Sequence, residues 1–479
     1  MAAVPRGGAP KTLGAARGGP ARPAPAAGPR GGGGPPGRGP GGGRLRRVSR
    51  LLDRPLTSYY LIFSSCALLI AFGLTMVLSS SMVDSYTETG SVYSLFQKQA
   101  VAAAIGLPLM LLASHLPLKV FRAVGYPAML LSVALLVLTV FKGEAYNSGA
   151  VRWLEIGGVT VQASEPAKLA FVLWGASVLA RKEELKELKE WRQLLFPLMP
   201  GCGVLVLLVL LGTDLGTTMV LLAIFLAMLW VVGAPGKLFV GMFGLVATLV
   251  AIMIAVEPFR IARVTSFLDP EADPTGSGFQ VLHGLYALGT GGLFGVGIGG
   301  SREKWGFLPH PESDFIFAII GEEFGLVGTL VVVGLFGVLG YAGLRVASRT
   351  RDPFARLAAT ALTVWIVLQA LVNIGTVIGL MPVTGIPLPL VSAGGSSLIP
   401  TLLGIGVLLA LAKTEPKARR ALAARGPGRV QRALSWLGLD DAQGRPRPAG
   451  ASQAHTQAAG EPRRTKEHAQ VQARRNRRR

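Results

Sequence analysis

Ten stretches of this chain are apolar over nearly the length needed to cross a bilayer, and that repetition limits the fold more than any other feature. A hydrocarbon core about 30 Å thick takes about 20 apolar residues as a helix. Such runs recur at about 57–81, 97–115, 121–141, 164–181, 194–212, 214–233, 237–256, 314–344, 355–381 and 396–412. In lipid every backbone polar group must be satisfied within the protein, so segments of this length are helices. The expected fold class is an all-α polytopic membrane protein with about ten transmembrane helices. The fifth and sixth runs are separated only by Gly212-Thr213-Asp214, so nine is the competing count.

Charge then divides the chain and orients it. The formal net charge is +22. Residues 1–54 contribute +10 and residues 413–479 contribute +12, so the tails hold the whole excess and 55–412 is neutral. A nucleic-acid partner is therefore not expected. The tails read as basic cytoplasmic extensions, the first of them Gly/Pro/Ala/Arg-rich, disordered and without the apolar core of a secretory signal. The middle is the membrane domain, with 40 charged residues in 358, far below the roughly 25% of a soluble domain. With ten crossings, one set of loops and both tails carry 40 Lys/Arg and the opposite loops carry seven. Lys and Arg concentrate on the cytoplasmic side, so both termini are expected there. Cys66 and Cys202 both lie in apolar runs and predict no disulfide framework.

On the outer side one loop, 257–313, is far longer than the rest, and the chemistry is expected in it and in the polar residues beneath it. Arg260 and Arg263 precede Asp269-Pro-Glu271-Ala-Asp273-Pro-Thr-Gly276-Ser-Gly278-Phe-Gln280. Asp-Pro dipeptides favour turns, and a carboxylate held on a turn suits general-base work or a divalent cation. Asp269 reads as a plain turn cap. A short helix is expected over about 279–289. The Gly-rich segment 289–300 lacks the strand that a dinucleotide fingerprint needs. It reads as a tight backbone fold whose N–H groups approach phosphate. His283 and His310 read as isolated residues. Within the spans, Glu165 and Lys168 share a helix face at i, i+3, Asp214 opens the sixth run, and Glu322 and Glu323 sit in the eighth. Such groups mark either pairs that lock the bundle or a polar cavity. The uncharged loop from Pro382 to Ser397, with Ser392 and Ser396, permits a re-entrant bend. The segment Arg181–Leu195 predicts an amphipathic interfacial helix.

Several of these motifs, in order, resemble the SEDS family (shape, elongation, division and sporulation). They are Arg152-Trp153, Glu165-Pro-Ala-Lys168, Asp214-Leu-Gly216-Thr217, Asp273-Pro-Thr-Gly276-Ser-Gly278, Phe307-Leu-Pro309 with Asp314-Phe315-Ile-Phe317 and Gly321-Glu322-Glu323, and the run from Asn373 through Pro382-Val-Thr-Gly385 to Ser392-Ala-Gly394-Gly395-Ser396-Ser397. The division branch is the most similar, with the elongation and sporulation branches next. The resemblance implies a glycosyltransferase of the bacterial inner membrane, placed at the division septum, that polymerises lipid II on the outer face. Its partners would be lipid II and undecaprenyl-linked glycan, a class B penicillin-binding protein, and divisome proteins met through the tails. Asp273 corresponds to the family's loop aspartate, the general base. Arg152, Glu165, Lys168 and Asp214 fall on its polar cavity. Arg152, Lys168, Arg260 and Arg263 would meet the pyrophosphate, with Gln280, Ser392 and Ser396 completing the substrate site. A divalent cation, Mg or Mn, would help there, with Asp273 as its ligand. A lipid II flippase, an elongation-type polymerase and a division scaffold are the rival readings. The family commonly has Gln-Pro-Ser-Glu where this chain has Gln162-Ala-Ser-Glu165 followed by Pro166.

Overall fold

The structure, a computed structural model, describes residues 54–145, 151–157, 159–185, 195–256, 261, 265–276 and 278–425. Helices dominate: α1 (Thr57–Thr89), α2 (Ser94–Ala113), α3 (Leu118–Lys142), α4 (Ser164–Glu184), α5 (Leu198–Leu211), α6 (Leu215–Val232), α7 (Gly236–Val256), α8 (Phe279–Gly291), α9 (Ile316–Arg349), α10 (Pro353–Val377), α11 (Gly395–Ala412) and α12 (Pro416–Arg425). Among the described residues seven of these are long and apolar enough to cross a membrane: α1, α2, α3, α6, α9, α10 and α11. Leu198–Leu211 and Gly236–Thr248 are shorter apolar stretches. Of the expected spans, 164–181 corresponds to α4, which carries Glu165 and Lys168 near its start and Arg181, Lys182, Glu183 and Glu184 at its end. The expected short helix after the aspartate turn is α8. The proposed interfacial segment 181–195 falls largely on 186–194, outside the described residues.

Local chemistry sets several boundaries. Asp214 caps α6 by accepting from Thr217 N–H, and Asp352 caps α10 by accepting from Ala355 N–H, with Pro353 in the first turn. An aspartate at the cap satisfies one of the four orphan donors of a helix start, and proline there loses nothing because its missing N–H would be unpaired anyway. At one end of the bundle Arg122 of α3 holds the Asp352 carboxylate through NH2 at 2.9 Å and reaches Glu184 at 3.4 Å. Arg356 of α10 grips Glu183 of α4 at 2.8 Å. These pairs clasp α4 to α10, with Arg122 of α3 bridging the two.

Two expectations change. The all-α reading misses a three-stranded antiparallel sheet, β1 (Glu144–Ala145), β2 (Val151–Ile156) and β3 (Val159–Gln162), in the order β1-β2-β3. Trp153 pairs with Gln162 and Glu155 with Thr160. The cause is local: β-branched Val151, Ile156, Val159, Thr160 and Val161 flank a Gly-Gly pair in the sequence, Ile156 pairs with Val159, and Gly157 has φ 60°, the positive φ that suits a tight hairpin connection. The run 314–344, expected as one helix, is interrupted inside α9, where Gly325 has φ 64° and ψ −161°.

Candidate functional site

Three knots of buried polar residues surround the expected site residues Lys168, Asp214 and Ser392. In the first, Lys168 lies one turn into α4 and is 1% exposed. Its ammonium donates to Glu165 Oε1 at 2.8 Å and to Gln369 Oε1 of α10 at 2.9 Å, over the Trp365 ring at 5.4 Å. Trp365 Nε1 donates to the same Gln369 oxygen at 2.9 Å, and Gln369 Nε2 donates to Pro387 O at 3.3 Å. The i, i+3 pairing of Glu165 and Lys168 is thus present despite Pro166, which sits in the first turn where proline is tolerated. Glu165 Oε2 is buried with no partner.

The second knot surrounds Asp214, 5% exposed, which accepts from Thr217 N–H at 3.0 Å, Thr217 Oγ1 at 2.8 Å and Gln162 Nε2 at 3.4 Å. Gln162 ends β3 two residues before α4, so the hairpin ties Asp214 to the helix that holds Lys168. A cavity of about 20 Å³ lined by Thr139, Ser164 and Asp214 adjoins this cap, room for about one water.

In the third, the chain from Pro309 to Asp314 bridges α8 and the uncharged loop 382–397. Gln280 Nε2 donates to Pro309 O at 3.1 Å. Ser392 Oγ donates to Ser313 O at 2.6 Å and accepts from Leu388 N–H at 2.8 Å. Ala393 N–H donates to Glu312 O at 2.8 Å, and Asn373 Nδ2 donates to Asp314 O at 2.7 Å and Ile386 O at 2.8 Å. Gln99 of α2 closes the loop, donating to Ser392 O and accepting from Gly394 N–H. Ser396 lies partly buried in the first turn of α11. At Gly73 of α1 an added Cβ would stand 2.7 Å from Leu390 O, so only glycine allows this approach.

Asp273 lies on an exposed turn after the short 3-10 segment Pro270–Ala272. Its carbonyl accepts from Gly278 N–H at 3.1 Å, which closes the turn just before α8. The position therefore combines an exposed residue with a backbone fixed by the turn, its carboxylate lying beside Gly276. Arg152 lies on β2, with its side chain outside the described residues, as are Arg260 and Arg263 altogether.

The sequence profile of the FtsW/RodA/SpoVE family, described as cell cycle proteins, matches residues 59–417. The chain belongs to this family. Like it are the probable peptidoglycan glycosyltransferase FtsW of Mycobacterium tuberculosis, 40% identical over 397 residues covering 82% of this chain and 75% of that protein, and the stage V sporulation protein E of Bacillus subtilis, 37% identical over 345 residues covering 71% and 93%. Two solved structures have the same fold. One comes from a peptidoglycan synthase complex described as coordinating polymerization and crosslinking, with 30% identity, a TM-score of 0.61, and coverage of 74% of this chain and 97% of that one. The other is the rod shape determining protein RodA of Thermus thermophilus, with 28% identity, a TM-score of 0.54, and coverage of 76% and 99%. This chain is a SEDS protein most like FtsW.

Within this SEDS protein several expected features acquire different partners. His283 is not isolated: Nδ1 lies 2.7 Å from Glu303 Oε2, and the ring packs on Phe279 at 4.2 Å between centroids. Two donors of the Gly-rich segment are turned to the protein itself, since Val296 N–H and Gly297 N–H donate to Glu322 O and Glu323 O. Glu322 accepts from Ser301 Oγ at 2.5 Å and from Arg302 N–H at 2.9 Å. Sequence reasoning counted Lys304 only as a loop charge, but it is 2% exposed, donating to Glu323 Oε1 at 3.1 Å, Ser79 Oγ at 3.3 Å and Gly299 O at 2.8 Å. Gln99 and Gln369 were also missed. An uncharged residue in an apolar helix carries no signal of its partner in sequence.

Glu312 supplies a pH test of the third knot. Burial pushes its carboxyl above the ordinary range, its own backbone hydrogen bond and His310 pull it down, and Asp84 and Asp314 push it further up. Its Oε2 is buried without a partner. A raised carboxyl favours folding while it is protonated in both states. That benefit is lost as pH rises from the ordinary glutamate value through the raised one. Wild type should therefore lose stability relative to Glu312→Gln over that window, read by thermal unfolding against pH. Parallel profiles for the two proteins would refute the assignment.

Proposed function

We propose that this protein is a peptidoglycan glycosyltransferase that polymerises lipid II on the outer face of the bacterial cytoplasmic membrane during division. The observation that carries the reading is its kinship, along nearly the whole membrane domain, with proteins named as probable peptidoglycan glycosyltransferases. In this reading the chain crosses the membrane ten times, both tails are cytoplasmic, and loop 257–313 lies outside, in line with the 40 to seven distribution of Lys and Arg. A class B penicillin-binding protein crosslinks the product, the tails meet divisome proteins, and the complex sits at the septum.

The chemistry follows from the residues in place. Asp273 accepts the proton of the acceptor sugar's 4-hydroxyl as that oxygen bonds to the donor's anomeric carbon. The bond from that carbon to the lipid pyrophosphate breaks, and its electron pair leaves with the phosphate. One displacement converts an α-linked donor into a β-linked product. Arg152, Arg260 and Arg263 stabilise the departing charge. Lys168 is already balanced by Glu165, so it contributes chiefly by fixing α4 against α10. Ser392, Ser396 and Gln280 hold the walls. Among the described residues no three ligating side chains cluster. That donor set still suits Mg or Mn, since magnesium commonly binds through one or two carboxylates plus substrate phosphates. Asp273 would be the protein's ligand, and the ion would supply charge neutralisation on the pyrophosphate.

The direct test is the purified chain, with its penicillin-binding partner, in vesicles containing lipid II. Glycan ladders support the reading, and lipid transport without polymer would replace it with the flippase. A second test probes placement of the base. A Cβ at Gly276 would stand 2.7 Å from Asp273 Oδ1. Gly276→Ala should cost about 10²-fold in turnover, the scale of a 1 Å misplacement, while the unfolding temperature holds. An unchanged rate would show that the carboxylate needs no such positioning.

A further inference from the structure

The break in α9 exchanges two rungs of helix for loop backbone. In an unbroken helix Leu326 N–H and Val327 N–H would donate to Glu322 O and Glu323 O. Here they donate to Gly292 O at 2.9 Å and Leu293 O at 3.3 Å, while Glu322 O and Glu323 O accept from Val296 N–H at 2.9 Å and Gly297 N–H at 3.1 Å. Gly295 N–H donates to Gly291 O at 2.8 Å. Irregular backbone is tolerated at membrane depth only where protein satisfies it, and these bonds do so. A Cβ at Gly325 would lie 2.5 Å from Gly295 N, which keeps the two backbones in contact only with glycine at 325.

The side chains of this inserted segment point away from the protein. Leu293 is 64% exposed, Phe294 81% and Ile298 68%. They continue an exposed apolar stripe of α9 made by Leu326, Val327, Leu330 and Val331, the face that a spanning helix turns to acyl chains. From Val327 to Arg349 the helix rises roughly 34 Å, close to one hydrocarbon thickness of about 30 Å. The segment therefore meets the leaflet opposite Arg349. Close by are the buried Lys304–Glu323 pair and the Ser301–Glu322 bond.

We propose that Gly291–Gly300 is a wedge that inserts Leu293, Phe294 and Ile298 among the acyl chains of the outer leaflet, sealing the buried charges beside it from lipid. The assignment to the outer leaflet rests on the orientation given under the proposed function. The test uses the full chain with Cys66→Ala and Cys202→Ala, and a nitroxide placed in turn through Phe294→Cys, Ile298→Cys and Glu271→Cys. In vesicles of phosphatidylethanolamine and phosphatidylglycerol, oxygen should relax the labels at 294 and 298 more than a water-soluble nickel chelate does. At 271, which is exposed on the aspartate turn, the order should reverse. Labels at both 294 and 298 that favour the chelate, or that are shielded from both agents, would overturn the wedge. An impermeant thiol reagent added outside spheroplasts separates orientation from insertion. It should react at 271. If it fails there while 294 is lipid-exposed, the insertion stands, but the outer leaflet and the orientation behind it fall.

Discussion

Replacing Asp273 by asparagine is expected to lower the rate of lipid II polymerisation by about 10²–10⁴-fold, the range that a positioned general base contributes. The substitution keeps the shape of the side chain and removes its capacity to accept a proton. The residue is exposed on a turn fixed through its backbone carbonyl, so the fold should tolerate the change; surface substitutions usually stay within about 0.5 kcal/mol. The informative measurement is glycan synthesis in vesicles beside the unfolding temperature of the same preparation. A normal rate would remove Asp273 from the chemistry. A lost rate with a lowered unfolding temperature would point instead to a structural role. If moving lipid were the protein's whole task, lipid transport by Asp273→Asn would match wild type.

The largest stability effect should come from Lys304→Met. Lys304 and Glu323 have side chains only 3% and 0% exposed. Removing the ammonium leaves Glu323 with Ser79 Oγ as its remaining named donor. Breaking a buried pair from one side costs about 3–5 kcal/mol, because the surviving charge stays out of water. Replacing both partners by apolar residues is commonly neutral or stabilising, so Lys304→Met with Glu323→Leu should recover most of the loss. Thermal unfolding in detergent reads both. Equal destabilisation in the single and double variants would mean that Lys304 acts through packing and not through its charge.

The helices were legible because each apolar run declares itself within about twenty residues, and the aspartate turn was legible because proline and glycine restrict the backbone locally. Glu165 and Lys168 could be paired from spacing alone. What escaped reading was long-range. Gln369, 201 residues from Lys168, looks like any polar residue in an apolar helix. The Gly-rich segment reads as a loop until the break at Gly325 supplies the backbone it completes. The hairpin before α4 was hidden for another reason: strands of six and four residues are short beside the spans that flank them, and Trp153-Leu154 interrupts the alternation of the first. His283 and Glu303 lie twenty positions apart on different elements, a separation that no helical or strand period connects.

The pairing of α4 with α10 has a mechanical consequence. The two helices are fastened at one end by Arg356–Glu183 and by Arg122 of α3, which bridges Glu184 and Asp352, and deeper in the bundle by Lys168 against Gln369. Two rods bolted at two heights resist both shear and bending. A pull on the clasped end would then reach the buried Lys168–Gln369 contact as a displacement of the whole frame, so a force-bearing partner would shift that polar cluster without deforming it.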